Sequence, residues 1–290
     1  MYSEMEKEKP WVYSHTQLAL WKLCKRRYYN RYVLGKKEPT TPNMAAGTWL
    51  AQEPIEAWEK CKNDDSIDWN YTIETLWPNF LAEFGGDESF KDRIFKLDLA
   101  RRILAAYKAN PVQGKVVEIE KTFVKDFASG LRYSSKPDFI VERDAWTEAG
   151  NGETHYTIVT AWDIKLKTFN QSREDDLYFA KAELSPFDDQ GLGQAILAGA
   201  QAFGQIVFLL GKKDGTLVGP IYLEHPVNPV LATEWEQETV IELWDIERWR
   251  SWYTHSYPWS KNDQACHAFG KPCTYLPDCN FGFEPKETLT

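Results

Sequence analysis

Two short stretches decide the fold of this chain: SSKPDFIV at residues 134–141 and TAWDIKLKT at residues 160–168. Both carry β-branched and aromatic residues in the short runs that are typical of strands. Between them lies AGNG at residues 149–152, which is a strong turn signal. The pattern therefore predicts two neighbouring strands with a turn between them.

An acidic residue and a lysine stand two positions apart in the second stretch, at Asp163 and Lys165. Side chains alternate across a strand, so these two share one face, and Asp138 approaches them if the strands pair. The two carboxylates, helped by the backbone carbonyl of Ile164, would form a hard oxygen site of the kind that Mg²⁺ or Mn²⁺ prefers. Such a cation polarises a phosphoryl oxygen and lowers the pKa of a water, which Lys165 could orient. The alternative is an ordinary pair of strand surface residues.

The segments around these strands suggest an α/β sandwich with a mixed central sheet and a helical N-terminal region. Periodicity and capping signals predict helices at 15–33, 45–62, 92–109, 186–203 and 234–253. Strands are expected at 116–127, 131–141, 156–167, 206–210 and 217–224. We expect a single domain over 1–290, made of a helical region at 10–110, an α/β core at 111–230, and a C-terminal helix and tail at 231–290.

The net charge of −9 argues at first sight against a nucleic-acid partner, because phosphate affinity comes from Lys and Arg. The distribution of charge points the other way, since residues 10–37 contain no Asp or Glu. Basic and aromatic side chains are interleaved there, which is typical of single-strand binding. The candidate DNA-binding residues are Lys22, Lys25, Arg26, Arg27, Tyr28 and Arg31. The alternative is a solvated helix face with tyrosines packed beneath it.

The chain is expected to work in the cytoplasm, or in the host cytoplasm if a phage encodes it. No run approaches the roughly 20 apolar residues that span a bilayer, so no membrane partner is expected. Residues 1–10 mix Glu and Lys without an apolar signal core. Five Cys, an odd number, argue against a disulfide framework.

Three cysteines lie close together near the C-terminus, with the spacing C-x6-C-x5-C at Cys266, Cys273 and Cys279. Cys24 stands alone far upstream, beside the basic stretch. Four thiolates in this arrangement can bind a 4Fe–4S cluster or a zinc ion, and either would fix the tail onto Cys24. The alternative is a set of unpaired thiols, as we expect for Cys61.

These motifs, taken in order, resemble the RecB-like iron–sulfur branch of the PD-(D/E)XK nucleases. That branch includes the CRISPR-adaptation-associated exonucleases, the nuclease domain of AddAB-type helicase–nucleases and related phage proteins. The segment YSHTQLALWKLCKRRYYNRYVLG at residues 13–35 is similar to the opening helix of the family. The resemblance implies a restriction-endonuclease-like core. It also implies that the four cysteines at 24, 266, 273 and 279 hold an iron–sulfur cluster.

The resemblance also implies roles for the candidate site. It implies metal-binding carboxylates at Asp138 and Asp163, a catalytic Lys165, and Gln190 as the residue that opens a Q-x-x-x-Y motif. The chain departs from the family at Gln194, which replaces the tyrosine of that motif. It departs again in the second helix, where the family often has a metal-binding His. Gln52 stands near that place, with Glu56 one turn further on, and both are candidate ligands.

The function implied is a Mg²⁺- or Mn²⁺-dependent DNA exonuclease that acts on ends or single strands. A helicase, a recombinase or a CRISPR-adaptation partner would fit such a role, and the oligomeric state is not fixed by the sequence. One alternative is a weak or inactive nuclease fold that holds DNA or a partner in a recombination or defence complex. Another alternative is a protein whose cysteines bind a structural zinc ion and whose chemistry is unrelated to that of nucleases.

Overall fold

The computed structural model describes residues 11–38, 42–64, 66–83, 97–128, 130–149, 152–169, 188–212, 215–252, 273 and 275. The chain divides into two units, each built from separate parts of the sequence. The first unit takes the described residues of Met1–Pro39, Val124–Ser135 and Thr233–Thr290, and the second takes those of Thr40–Phe123 and Lys136–Ala232.

The described ranges begin with a short strand and a run of helices, and most of the strands follow later in the chain. The α-helices are α1 (His15–Leu23), α2 (Lys25–Tyr28), α3 (Pro42–Ala46), α4 (Glu53–Cys61), α5 (Trp69–Glu83), α6 (Leu97–Ala109), α7 (Asp189–Ala198) and α8 (Pro229–Trp252). Two π-helical segments, Tyr29–Val33 and Gly47–Gln52, follow α2 and α3. The strands are β1 (Val12–Ser14), β2 (Lys115–Ile119), β3 (Phe123–Asp126), β4 (Arg132–Ser135), β5 (Phe139–Ala149), β6 (Gly152–Phe169), β7 (Ala202–Gly211) and β8 (Leu217–Pro226).

The second unit contains a five-stranded mixed sheet with the order β2-β5-β6-β7-β8. Strands β6 and β7 are parallel, and the other neighbours are antiparallel. The pair β5–β6 is a long hairpin whose register ends at Ala149 opposite Gly152. These features confirm the predicted mixed α/β architecture, with a mixed sheet flanked by helices.

Alternation along β6 directs the apolar side chains to one face of this sheet. Trp162 and Ile164 of β6 and Ile206 of β7 join one buried cluster with Ile55 of α4 and Ile103 of α6. Because successive side chains point to opposite faces, Asp163 and Lys165 lie on the other face. The hydrophobic cluster therefore fixes which way the two polar residues point.

Helix α7 packs closely on the polar face because small residues line it. A Cβ added to Gly191 would lie 2.3 Å from the Phe203 ring, so no larger residue fits without a shift. The side chain of Asp188 caps the helix by accepting a 2.6 Å hydrogen bond from the Gly191 amide. The helix ends at Gly199, which takes the left-handed conformation with φ of 67°.

The first unit contains a three-stranded sheet with the order β1-β4-β3, in which β1 and β4 are parallel. Aromatic side chains fill its core. Trp21 of α1 meets Trp249 of α8 edge to face, and Tyr133 of β4 meets Trp235 in the same way. The buried hydroxyl of Tyr13 donates to Glu247. No helix within the described ranges is long and apolar enough to cross a membrane.

Several predicted elements are divided differently in the structure. The predicted helix at 15–33 is interrupted at Cys24, whose backbone is extended with φ of −163° and ψ of 109°. The run at 116–127 forms two strands that belong to different sheets, separated by Glu120 with φ of 51°. The predicted strand at 131–141 is likewise shared between β4 and β5. Tertiary pairing overrides local strand propensity in both cases.

One helix prediction was wrong in its extent, and one helix was not predicted. The helix predicted at 186–203 ends at Ala198, and Ala202 and Phe203 begin β7, which is buried on both faces. Helix α5 (Trp69–Glu83) was not predicted, and Pro78 lies inside it. Its many aromatic and polar residues do not give the clear apolar periodicity on which the helix predictions depended.

Candidate active site

Asp138 lies just before β5, and neighbouring backbone and side-chain donors hold its carboxylate in place. Its Oδ2 accepts a 2.6 Å hydrogen bond from the backbone amide of Ile164 in β6. Its Oδ1 accepts a 2.9 Å hydrogen bond from Nε2 of Gln52. The backbone amide of Asp138 donates to the carbonyl of Trp162 at 3.0 Å. Both oxygens of this buried side chain are therefore fixed by residues from distant parts of the sequence.

Asp163 and Lys165 form an ion pair on the polar face of β6, between Oδ2 and Nζ. Two amides of α7 also reach the Asp163 carboxylate, from residues one helical turn apart. Nε2 of Gln190 lies 3.2 Å from Oδ2, and Nε2 of Gln194 lies 3.5 Å from Oδ1. The structure thus brings Asp163, Lys165 and Gln190 together. It also assigns a contact to Gln194, which stands where the resembled family has a tyrosine.

Burial and neighbouring charges shift the pKa values of Asp138 and Lys165. Burial raises the pKa of Asp138 well above its usual range, and the nearby charge of Asp163 raises it further. Burial disfavours the charged ammonium of Lys165 and thereby lowers its pKa. The charge of Asp163 and its hydrogen bond outweigh that effect, so the pKa of Lys165 lies above its ordinary value. Lys165 therefore stays protonated. A further positive charge placed between Asp138 and Asp163 would offset the repulsion between the two acids.

Gln52, at the end of the π-helical segment Gly47–Gln52, meets three carboxylates through one nitrogen. Its Nε2 lies 2.8 Å from Glu56, 2.9 Å from Asp138 and 3.4 Å from Glu120. An amide nitrogen has only two hydrogens, so the longest of these contacts is the weakest. The sequence had suggested an oxygen ligand at this position. In the structure the N–H groups face the acids, so Gln52 holds them by donation.

Glu120 and Lys136 also belong to this group, and the sequence analysis missed both. Glu120 adopts a left-handed backbone conformation with φ of 51°, and its amide donates to the carbonyl of Asp138 at 2.9 Å. Its carboxylate pairs with Lys136, which stands two positions before Asp138. A non-glycine residue in this conformation is uncommon and often marks a functional site. Lys136 lies within the quoted stretch 134–141, so its nearness to Asp138 was visible in the sequence.

The oxygen atoms that lack a hydrogen-bond partner indicate whether these residues can bind a divalent cation. Within the described ranges, no group of three or more His, Cys, Asp or Glu side chains is arranged to hold a metal ion. Asp138 and Asp163 would need neutral oxygens beside them, such as the Ile164 carbonyl. Two buried acceptors near the acids, Oε2 of Glu56 and Oε1 of Gln205, have no hydrogen-bond partner. This surplus of oxygen acceptors fits a hard cation.

In the first unit, the basic segment is largely engaged in internal pairs. Lys22 pairs with Glu242 at 2.8 Å. Lys25 binds Asp245 at 3.0 Å and lies over the rings of Trp21 and Trp249.

The remaining basic residues of this segment follow the same pattern. The guanidinium of Arg27 forms a bidentate pair of hydrogen bonds with the Glu38 carboxylate, at 2.6 and 3.0 Å. Arg31 donates to the same carboxylate at 3.2 Å. Tyr28 is fully buried, which matches the alternative in which tyrosines pack beneath the helix. Arg26 also interacts with other residues and is not a free cation.

Two of the four candidate cluster cysteines can be described. Cys24 is buried at the interruption between α1 and α2, and Cys273 is partly buried. Glu38 is the main cause of the raised pKa of Arg27, and nearby Cys273 raises it further. The Tyr275 hydroxyl donates to the carbonyl of Lys36 at 2.6 Å. Tyr275 therefore contacts the segment that follows Cys24, whereas Cys266 and Cys279 lie outside the described residues.

Comparisons with known proteins leave the chain without an assigned family. No protein-family model matches it, and no curated protein matches it. Among solved structures, it is similar to a candidate exonuclease from Eubacterium rectale, with 12% identity over 94% of each chain and a TM-score of 0.47. It is also similar to the protein SSO0001, with 13% identity, 78% of this chain and 85% of that chain covered, and a TM-score of 0.23. Likeness at these TM-scores establishes neither a shared fold nor a shared activity.

Proposed function

We propose that the second unit is a divalent-cation-dependent DNA nuclease with a PD-(D/E)XK core, acting as an exonuclease on DNA ends or single strands. The observation that carries the proposal is the grouping of Asp138, Asp163 and Lys165. Two buried carboxylates adjoin a protonated lysine at two central strands, β5 and β6, of a mixed sheet. Buried like charges are costly to maintain, and such arrangements cluster at catalytic sites.

The residues that would hold Mg²⁺ or Mn²⁺ are Asp138, Asp163 and the carbonyl of Ile164, with Glu56 nearby. When bound, such a cation polarises a phosphoryl oxygen and lowers the pKa of a water. Lys165 would face the negative charge that develops on the phosphoryl oxygens, because its raised pKa keeps it protonated. Gln190 and Gln194 hold the Asp163 carboxylate against rotation, and the Ile164 amide does the same for Asp138.

The same proposal assigns DNA contact to the basic segment of the first unit, at Lys22, Lys25, Arg26, Arg27 and Arg31. Their pairing with acids means that phosphates would have to compete with Glu38, Glu242 and Asp245. We therefore expect modest affinity with a steep dependence on salt.

The cysteines are proposed to hold a 4Fe–4S cluster, with zinc as the alternative. The hydrogen bond from Tyr275 to the carbonyl of Lys36 supports a link between the tail and the segment after Cys24. Iron–thiolate charge transfer would give a brown protein with broad absorbance at roughly 400 nm, whereas a zinc protein is colourless. Cys24→Ser should remove the absorbance, and Cys61→Ser should leave it unchanged. A colourless, zinc-containing protein would contradict the cluster.

The experiment that tests the nuclease uses labelled single- and double-stranded DNA with one end blocked, incubated with Mn²⁺. Wild-type protein should shorten the DNA from the free end, and Lys165→Met should reduce the rate by at least about a hundredfold. Lys167→Met is the matched control, because Lys167 lies on the same face of β6 and is not one of the candidate site residues. Equal rates for the wild type and Lys165→Met would refute the assignment.

A second candidate function is a nuclease-fold protein that binds DNA without cutting it, as part of a recombination or defence complex. The observation that favours it is Gln52, which presents N–H groups to the acids where an oxygen ligand was expected. This candidate predicts salt-dependent DNA binding and no turnover with any divalent cation. The assay with one blocked end separates the two functions.

A further inference from the structure

Gln205 lies beside Asp163 on the neighbouring strand. Strands β6 and β7 are parallel, and their register pairs Asp163 directly with Gln205. Paired residues on adjacent strands share one face of a sheet, about 4.8 Å apart. Gln205 therefore lies on the polar face that also carries Asp163 and Lys165, and on which α7 packs.

The amide oxygen of Gln205 is buried and accepts no hydrogen bond. Leaving a buried acceptor unsatisfied costs about 1–3 kcal/mol, so most such groups in folded proteins have partners. In the described part of the second unit, Oε2 of Glu56 is the other buried side-chain atom without such a partner. Both unsatisfied atoms are oxygens. Gln205 is the strand partner of Asp163, and Glu56 shares the Gln52 donor with Asp138.

An unsatisfied oxygen beside two carboxylates can receive a cation or a hydrogen-bond donor. The nearby amides of Gln190 and Gln194 are already directed at Asp163. A hard divalent cation takes about six or more oxygen ligands, and Asp138 and Asp163 alone supply too few. A neutral amide oxygen fits this need, because it adds a ligand without adding a third negative charge.

We propose that Gln205 supplies a neutral oxygen ligand to the divalent cation that Asp163 binds, so that the ligands extend across three adjacent strands of the sheet. This inference rests on the proposed function. It extends that function to β7, on which the sequence motifs gave no candidate. It also explains why β7, otherwise almost wholly apolar, carries a glutamine at the position opposite Asp163.

The test measures Mn²⁺ affinity directly, from the electron paramagnetic resonance signal of free Mn²⁺, in wild-type protein and four variants. Gln205→Leu removes the oxygen at similar volume and should weaken Mn²⁺ binding about tenfold. Its melting temperature in EDTA should be unchanged or higher, because an unsatisfied acceptor is removed. Gln205→Glu should reverse both effects, tightening Mn²⁺ binding and lowering the melting temperature in EDTA, because a carboxylate is added beside Asp163.

Gln201→Leu is the matched control, because Gln201 lies just before β7 and its Oε1 already accepts from the amide of Val159 at 2.7 Å. It should alter stability without altering Mn²⁺ affinity. Asp163→Asn is the reference for the proposed function, and should lose most of the affinity.

Wild-type Mn²⁺ affinity in Gln205→Leu would overturn the inference. If Gln205→Leu does not fold, wild-type affinity in Gln205→Glu would overturn it equally. When Asp163→Asn loses affinity and both Gln205 variants keep the wild-type affinity, this inference alone fails. When Asp163→Asn also keeps its affinity, the proposed function fails with it.

Discussion

The carboxylate of Asp138 accepts a 2.6 Å hydrogen bond from the backbone amide of Ile164, the residue between Asp163 and Lys165. This bond attaches the start of β5 to the centre of the acid-x-lysine segment in β6. Because a backbone amide cannot rotate away, the first acid keeps its position relative to the second. The site is thus pre-organised by main-chain hydrogen bonding.

Removing the Gln52 amide should destabilise the second unit. Gln52→Leu leaves buried oxygens of Asp138 and Glu56 without their donor, which should lower the unfolding free energy by about 1–3 kcal/mol. Gln52→Glu should cost more in EDTA, because it adds a carboxylate to the group, and added Mn²⁺ should recover part of the loss. Urea unfolding with and without Mn²⁺ measures both effects. A Gln52→Leu protein as stable as the wild type would show that the amide does not hold the acids.

Glu56 should make stability depend on pH in metal-free protein. The pKa of Glu56 is raised to about 7, mainly by burial. The hydrogen bond from Gln52 lowers this pKa, whereas the nearby charge of Glu120 raises it. The folded protein then holds a proton that the unfolded chain releases at its ordinary value of 4.5. The unfolding free energy that this group contributes is therefore greatest below pH of about 4.5 and falls as the pH rises to about 7.

The measurement for Glu56 is urea unfolding in EDTA across this pH range, for wild type and Glu56→Gln. The unfolding free energy of the wild type relative to that of Glu56→Gln should fall as the pH rises from about 4.5 to about 7, because the amide does not titrate. Parallel stability curves for the two proteins would mean that Glu56 titrates at its ordinary pKa when folded.

Gly191→Ala should loosen α7 on the sheet. The added Cβ would lie 2.3 Å from the Phe203 ring, so either the ring or the helix must move. Overpacking of this kind costs about 1–3 kcal/mol, and it should also slow cleavage by shifting Gln190 and Gln194 away from Asp163. Gly47→Ala is the matched control, because nothing lies within 4 Å of its added Cβ. An unchanged melting temperature for Gly191→Ala would contradict the close packing.

Arg27 should matter for the stability of the first unit as well as for DNA binding. Arg27→Lys cannot form the bidentate hydrogen bonds with Glu38 and should lower the unfolding free energy by about 1 kcal/mol. Thermal melts of wild type and variant without DNA measure this. A variant that loses DNA affinity at unchanged stability would show instead that the guanidinium is available to phosphate.

Much of the sheet could be predicted because strand alternation is a local property. The pattern of TAWDIKLKT indicates which residues enter the core, and Trp162 and Ile164 do join the buried cluster. The glycines of AGNG predict a chain reversal at residues 149–152, and the register of β5 and β6 ends at Ala149 opposite Gly152. These features depend on neighbours within a few residues, which a single sequence displays.

The remaining features depend on contacts between distant residues. The donor role of Gln52 requires Asp138, which lies 86 positions away in the sequence. The division of the run at 116–127 depends on Glu120, whose amide pairs with the carbonyl of Asp138. The position of Gln205 opposite Asp163 depends on the parallel register of β6 and β7. No local propensity encodes these pairings, so only the folded chain reveals them.

The central claim is that Asp138 and Asp163 jointly bind a divalent cation that DNA cleavage requires. The most direct measurement is single-turnover cleavage of end-labelled DNA by wild-type, Asp138→Asn and Asp163→Asn proteins, each titrated with Mn²⁺ after removal of metal with EDTA. We predict cleavage by the wild type that depends on Mn²⁺ concentration, and a loss of at least about a thousandfold in each variant. Cleavage that persists in EDTA, or that survives both substitutions, would contradict the account.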